Sequence, residues 1–167
     1  SDDLFHSAQR NMGNEVMLDQ YASAMSNSGS VLAYYPEYWK LNQNLAWQHP
    51  NNIIAFAQRY PQSAMAEKLA ADYVEEKVKV GDYASALPIL PYISNADAAE
   101  ACAIGQVRAN TGDQLALAEY KEDVWLATNT QPESCVALGR QMLNSPMFSI
   151  QDKQQRLYTY LRAGQIG

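Results

Sequence analysis

Apolar residues recur along this chain at spacings of three and four with few β-branched runs, and that period predicts helices almost throughout. Read this way, the chain forms about ten helices, near 3–12, 14–27, 36–48, 51–60, 63–80, 82–91, 97–111, 113–127, 132–144 and 149–163. The stretch 63–80 shows the pattern well. Met65, Leu69 and Tyr73 make one row, and Ala66, Ala70, Val74 and Val78 make the next. Glu67, Lys68, Asp72, Glu75 and Lys79 fill the remaining arc, with Glu75 and Lys79 four apart as an ion pair on a helix requires.

Stop and start signals divide the period into units. At Gly81-Asp82 the glycine suits a left-handed helix cap and the aspartate can accept from free N–H groups of the next helix; Gly112-Asp113 repeats the arrangement. Asp97 to Glu100 and Thr130 to Glu133 read as capping boxes, and Ser149 to Asp152 as a weaker one. Pro36, Pro50, Pro61, Pro132 and Pro146 fall at or near helix boundaries, where a missing N–H costs least. The helix–Gly-Asp–helix recurrence, at 112 − 81 = 31 residues, lies near the period of tetratricopeptide repeats without their full consensus. The expected fold is all-α, a superhelix of stacked antiparallel hairpins forming one domain over 1–167. Ser26 to Ser30 is the most loop-like stretch and sets off a short N-terminal hairpin.

Charge narrows the partners. A net charge of −6, with 12 Lys and Arg scattered singly, leaves no basic face for a polyphosphate, so nucleic acid and anionic lipid are poor partners. No segment reaches the roughly 20 apolar residues of a membrane span.

Catalytic signals are missing. His6 and His49 are the two histidines, one on a surface helix and one before Pro50 at a turn, and both read as structural or solvated. Glu75-Glu76 and Glu119-Glu122 could be drawn as acid pairs, but each lies on a charged helical arc and reads as a solvated face. The chain contains no zincin, nucleophile-elbow, phosphate-loop or dinucleotide motif, so neither a metal nor a cofactor is expected. Tyr34, Tyr35, Tyr38, Trp39 and Trp47 crowd one region: they form either a binding surface or core filling, and the helical spacing of Tyr38, Trp39, Leu41 and Leu45 favours core. Cys102 and Cys135 are either two buried small side chains or thiols that meet across a helical hairpin.

Several of these segments together resemble the N-terminal helical region, the U domain, of the soluble lytic murein transglycosylases. They are Tyr34-Tyr-Pro-Glu-Tyr38; Phe56 to Pro61 followed by Ser63, Ala66 and Leu69; Gly81-Asp82-Tyr83 and a short helix ending at Pro91; Asp97 to Cys102 with Thr111-Gly112; Trp125-Leu126-Ala-Thr128 and Gln131 to Cys135; and Arg156 to Ala163-Gly164. The likeness covers 31–164, with 1–30 weakly matched. Ala127 ahead of Thr128 and the Asn129-Thr130 turn depart from the family pattern.

The resemblance implies a periplasmic protein, its signal peptide removed or outside this sequence, acting on peptidoglycan. It also implies a Cys102–Cys135 disulfide, suited to an oxidising compartment. The family's catalysis, cleavage of the MurNAc–GlcNAc β-1,4 bond to give a 1,6-anhydroMurNAc end, belongs to a lysozyme-like module whose motifs do not occur here, so no catalytic glutamate carries over. The expectation is a non-catalytic scaffold that helps form a ring holding glycan strands, with the rest of the parent enzyme and cell-wall proteins as further partners. The alternative is a stand-alone tetratricopeptide-like adaptor for another protein.

Overall fold

The computed structural model describes residues 2–10, 14–27, 34–113 and 115–166. These are helical with no strand among them. The longer elements are α1 (Asp2–Arg10), α2 (Glu15–Asn27), α3 (Tyr34–Gln43), α4 (Pro50–Arg59) and α5 (Ala64–Lys79). Then come a single turn α6 (Tyr83–Ala86), α7 (Ala98–Ala109), a second single turn α8 (Ala116–Glu119), α9 (Glu133–Leu143) and α10 (Ile150–Ile166). None is long and apolar enough to cross a membrane. Of the loop-like stretch Ser26 to Ser30, Ser26 and Asn27 still belong to α2, and Ser28 to Ser30 lie outside the described residues.

Local chemistry sets the boundaries. Gly81 (φ 73°) and Gly112 (φ 99°) take the left-handed conformation. In both turns the following N–H reaches back to a helix carbonyl, Asp82 to Lys77 at 2.9 Å and Asp113 to Arg108 at 3.0 Å, closing the free ends of α5 and α7. Asp82 then caps α6 by accepting from the Ser85 N–H. Asp113 does not repeat that role; its carboxylate takes the Arg108 guanidinium at 2.9 Å, and Arg108 also holds Glu119. Asp97 caps α7 as expected. Ser149 and Asp152 form a complete reciprocal box, each side chain accepting from the other's backbone N–H, at 2.8 and 3.1 Å. The Thr130 to Glu133 box does not form, because α9 starts one residue after Pro132, which offers no side-chain acceptor.

Three expected helices break, the first of them, over 36–48, stopping at Gln43. Over 82–91, α6 gives way to a 3-10 turn at Leu87–Tyr92, since Pro88 and Pro91 lack the N–H an α-helix needs. Over 113–127, α8 is followed by a π turn at Lys121–Trp125, where Trp125 and Leu126 donate to carbonyls five residues back. This wider turn buries the Trp125 indole fully, and its Nε1 donates to the Asp152 carbonyl at 3.1 Å.

Packing follows the amphipathic faces. On α5 the buried residues are Ala66, Leu69, Ala70, Ala71, Tyr73 and Val74, with Met65 and Val78 half-buried at the edge. Lys79 pairs with Glu76 at 3.3 Å, not with Glu75, and Lys68 pairs with Asp72. One apolar cluster joins α1 through α6 and one side of α7, through residues such as Phe56, Ile89 and Val107. A second joins Cys102 and Ala109 of α7 to Trp125, Leu138, Met142 and Phe148. Gln106, the one buried polar side chain among the described residues, donates to Ser134 O at 2.8 Å, and Ser134 Oγ donates to Ala99 O. α7 and α9 are thus sewn together, and Cys102 and Cys135 join them covalently, with Cα atoms 5.0 Å apart.

Candidate functional site

The five crowded aromatics separate into two environments. Tyr38 and Trp39 are buried. Tyr34 stacks on Tyr35 with ring centroids 4.4 Å apart, and Tyr35 and Trp39 both pack on Phe5. Tyr35 and Trp39 thus fasten α3 to α1, while Tyr38 meets Phe56 of α4 and Tyr34 meets Tyr60 at its end, so all four pack in or against the core. Trp47 is the exception. It is 88% exposed, the most exposed of the large apolar side chains among the described residues.

Its exposure follows from how α3 ends. The helix stops at Gln43, Asn44 turns out of helical geometry, and Leu45–Trp47 continue as a 3-10 turn. Leu45 points into the core while the tighter turn swings Trp47 outward. α5 then holds this turn on both sides of the tryptophan. Lys77 Nζ donates to the Ala46 carbonyl at 2.8 Å, and Tyr73 Oη donates to the Gln48 carbonyl, also at 2.8 Å. The Lys77 ammonium lies 5.6 Å from the centre of the Tyr73 ring and 3.6 Å from the Asp82 carboxylate. Burial, with Asp82 adding to it, pushes the Tyr73 phenol up to about 12, so it stays a donor throughout the neutral range. On the far side His49 Nδ1 accepts from the Asn51 N–H at 3.0 Å and caps α4. That is the structural role expected of this histidine.

Trp47 borders a hollow of about 380 Å³. Asn42, Gln43 and Asn44 line it from one side, and Asp72, Glu75 and Glu76 of α5 from the other. Asp72 and Glu76 are held by Lys68 and Lys79. Glu75 instead stands with Asp97 and Glu100, their carboxylate oxygens within 4.8 Å of one another. Burial first, then the charges of Asp72 and Asp97, raise the Glu75 carboxyl above its ordinary value; burial and Asp97 raise Glu100 likewise. Glu75 is therefore half-buried among like charges, not on the solvated arc its spacing indicated. The hollow holds amide donors and acceptors, carboxylates and one aromatic face. These groups can hydrogen-bond to and stack on a ligand.

A larger groove of about 670 Å³ runs between α9, α10 and the residues after the π turn, with Arg140, Arg156 and Tyr160 among its lining. Arg156 is clasped between rings, 4.6 Å from the centre of Trp125 and 5.2 Å from that of Tyr160, whose hydroxyl accepts from Nε at 3.0 Å. These contacts make Arg156 a packing element of the α10 junction.

The residue pattern groups Trp47 with the core aromatics and does not mark Tyr73, Lys77 or the amide run as parts of a site. A signal is nonetheless present: three consecutive amides, Asn42 to Asn44, then a proline three residues past Trp47, argue against a helix running through 36–48.

No protein-family model matches the sequence, and the search of curated proteins gives no match. Among solved structures, the 70-kDa soluble lytic transglycosylase in complex with bulgecin A is similar, with a TM-score of 0.77 at 19% identity over 98% of this chain. This chain spans only 26% of that protein. In fold, this all-helical chain is therefore similar to part of that soluble lytic transglycosylase.

Proposed function

We propose that this chain is the non-catalytic helical scaffold of a periplasmic lytic transglycosylase. In this reading it is one helical unit over 1–167 that helps hold peptidoglycan glycan strands while a separate module cleaves them. The observation that carries this is the fold itself: nearly the whole chain superposes on part of an enzyme whose structure was solved with bulgecin A, and it spans about a quarter of that enzyme. The Cys102–Cys135 bridge adds support, because such a bond persists in an oxidising compartment. The lack of a recognised catalytic motif and the capping role of His49 favour holding over cleaving.

The test incubates the chain with purified sacculi. Retention on the sacculi without release of anhydro-muropeptides is expected. Appreciable release would overturn the non-catalytic reading. Failure to be retained, together with selective capture of a periplasmic protein, would favour the adaptor instead.

A further inference from the structure

We infer that the Trp47 hollow is a subsite for an uncharged, N-acetylated oligosaccharide, with the indole as stacking platform and Asn42 and Gln43 as hydrogen-bonding groups. Three observations converge on this. The first is an apolar face presented to water from a backbone held in place. A Trp that is 88% exposed normally forfeits the burial its ring could gain, yet the carbonyls on both sides of this one are clamped by Tyr73 and Lys77. With the backbone held in this way, only the side chain's own torsions are left to order when a ring settles on it.

The second is the chemistry of the rim. Sugar hydroxyls and acetamido groups donate and accept at once, and Asn and Gln side chains do the same, so the match needs no charge on the ligand. The hollow, at about 380 Å³, falls in the range of small-ligand sites and has room for one or two pyranose rings.

The third is charge. An anionic ligand would face Asp72, Glu75 and Glu76. A cation would have to displace Lys68 or Lys79 from Asp72 and Glu76, at 2.8 and 3.3 Å, and would find Glu75 as the one carboxylate of the hollow outside an ion pair among the described residues. A neutral polyol meets no like charge and displaces neither lysine.

This inference rests on the proposal that the chain contacts glycan, and the experiment separates the two. A β-1,4-linked N-acetylglucosamine tetramer is titrated into the intact oxidised chain while acrylamide quenching of tryptophan fluorescence is followed. Trp39 and Trp125 are buried, so quenching reports Trp47. Saturable protection is expected, insensitive to salt because no ion pair is made. Trp47→Ala should weaken tetramer binding by roughly tenfold or more, measured by calorimetry, without lowering the melting temperature, since the side chain is exposed. Asn42→Ala with Gln43→Ala gives a second variant that leaves the indole in place and should weaken binding as well. Tetramer and sacculus binding unchanged in both variants would overturn the subsite and leave the glycan reading standing. No binding of either tetramer or sacculi by the unaltered chain would overturn both. Salt-sensitive protection by a lysine-rich peptide but not by the tetramer would overturn the subsite in favour of a cationic partner.

Discussion

Gly105 lies in the middle of α7, where alanine would ordinarily be preferred by about 1 kcal/mol. Here a Cβ would sit 2.7 and 2.8 Å from the Cζ and Cε2 atoms of Tyr120, and 3.1 Å from Leu138 Cδ2. The ring cannot simply step aside, because its hydroxyl donates to the Ala101 carbonyl at 2.7 Å, one helical turn earlier on α7. Overpacking of this kind costs about 1–3 kcal/mol, and displacing the ring sacrifices a hydrogen bond worth about 1 kcal/mol. Set against the gain in helix propensity, Gly105→Ala should destabilise by about 1–3 kcal/mol. Urea unfolding of four proteins measures it: the parent, Gly105→Ala, Tyr120→Ala and the double variant. With the ring removed, the added methyl group enters vacated space, so Gly105→Ala should become neutral or stabilising in the Tyr120→Ala background. A destabilisation of the same size in both backgrounds, or a stabilisation in the parent, would refute the claim that α7 and Tyr120 meet through the missing side chain.

Replacing both Cys102 and Cys135 by Ala releases a bridge spanning 33 residues. The chain-entropy relation gives about 4 kcal/mol, so the melting temperature should fall by roughly 8–16 °C; a fall under about 2 °C would contradict it. Glu75 holds its proton more readily when folded than when unfolded, so its charged form costs stability at neutral pH, and that cost fades as pH falls through the raised value into the ordinary carboxylate range. Glu75→Gln should therefore raise the melting temperature at pH 7 and lose that advantage near pH ~4, and a gap independent of pH would contradict it. Tyr73→Phe removes the donor to the Gln48 carbonyl, which should cost about 1 kcal/mol and lower the fluorescence anisotropy of the exposed Trp47. Unchanged anisotropy would show that the turn is held without it.

Much of the helical framework can be read from residue types. Gly81 and Gly112 end α5 and α7 as their φ freedom requires, and the alanine face of α5 is buried as its spacing indicates. The departures share one cause: a helical period can persist across a break in the helix. Pro88 and Pro91 convert the tail of one helix to a 3-10 turn, and the π turn at Lys121–Trp125 inserts a residue without disturbing apolar spacing enough to be noticed. Trp47 departs for the same reason. Tyr38 and Leu41 keep the core register on a helix that stops at Gln43; Leu45 still turns inward from the 3-10 turn, but two residues later the register no longer says which way a side chain faces. The partners of Tyr73 and Lys77 are illegible in the sequence because their hydrogen bonds, to Gln48 and Ala46, join backbone carbonyls far away along the chain. Carbonyls carry no residue identity.

α7 contributes Ala103 and Val107 to one apolar cluster and Cys102 and Ala109 to the other. It is a party wall, furnished on both sides, with the sulfur bridge bolted to one of them. Reducing that bridge would therefore loosen the C-terminal compartment first and leave the wall standing against its N-terminal neighbour, so damage would spread through the molecule by rooms rather than all at once.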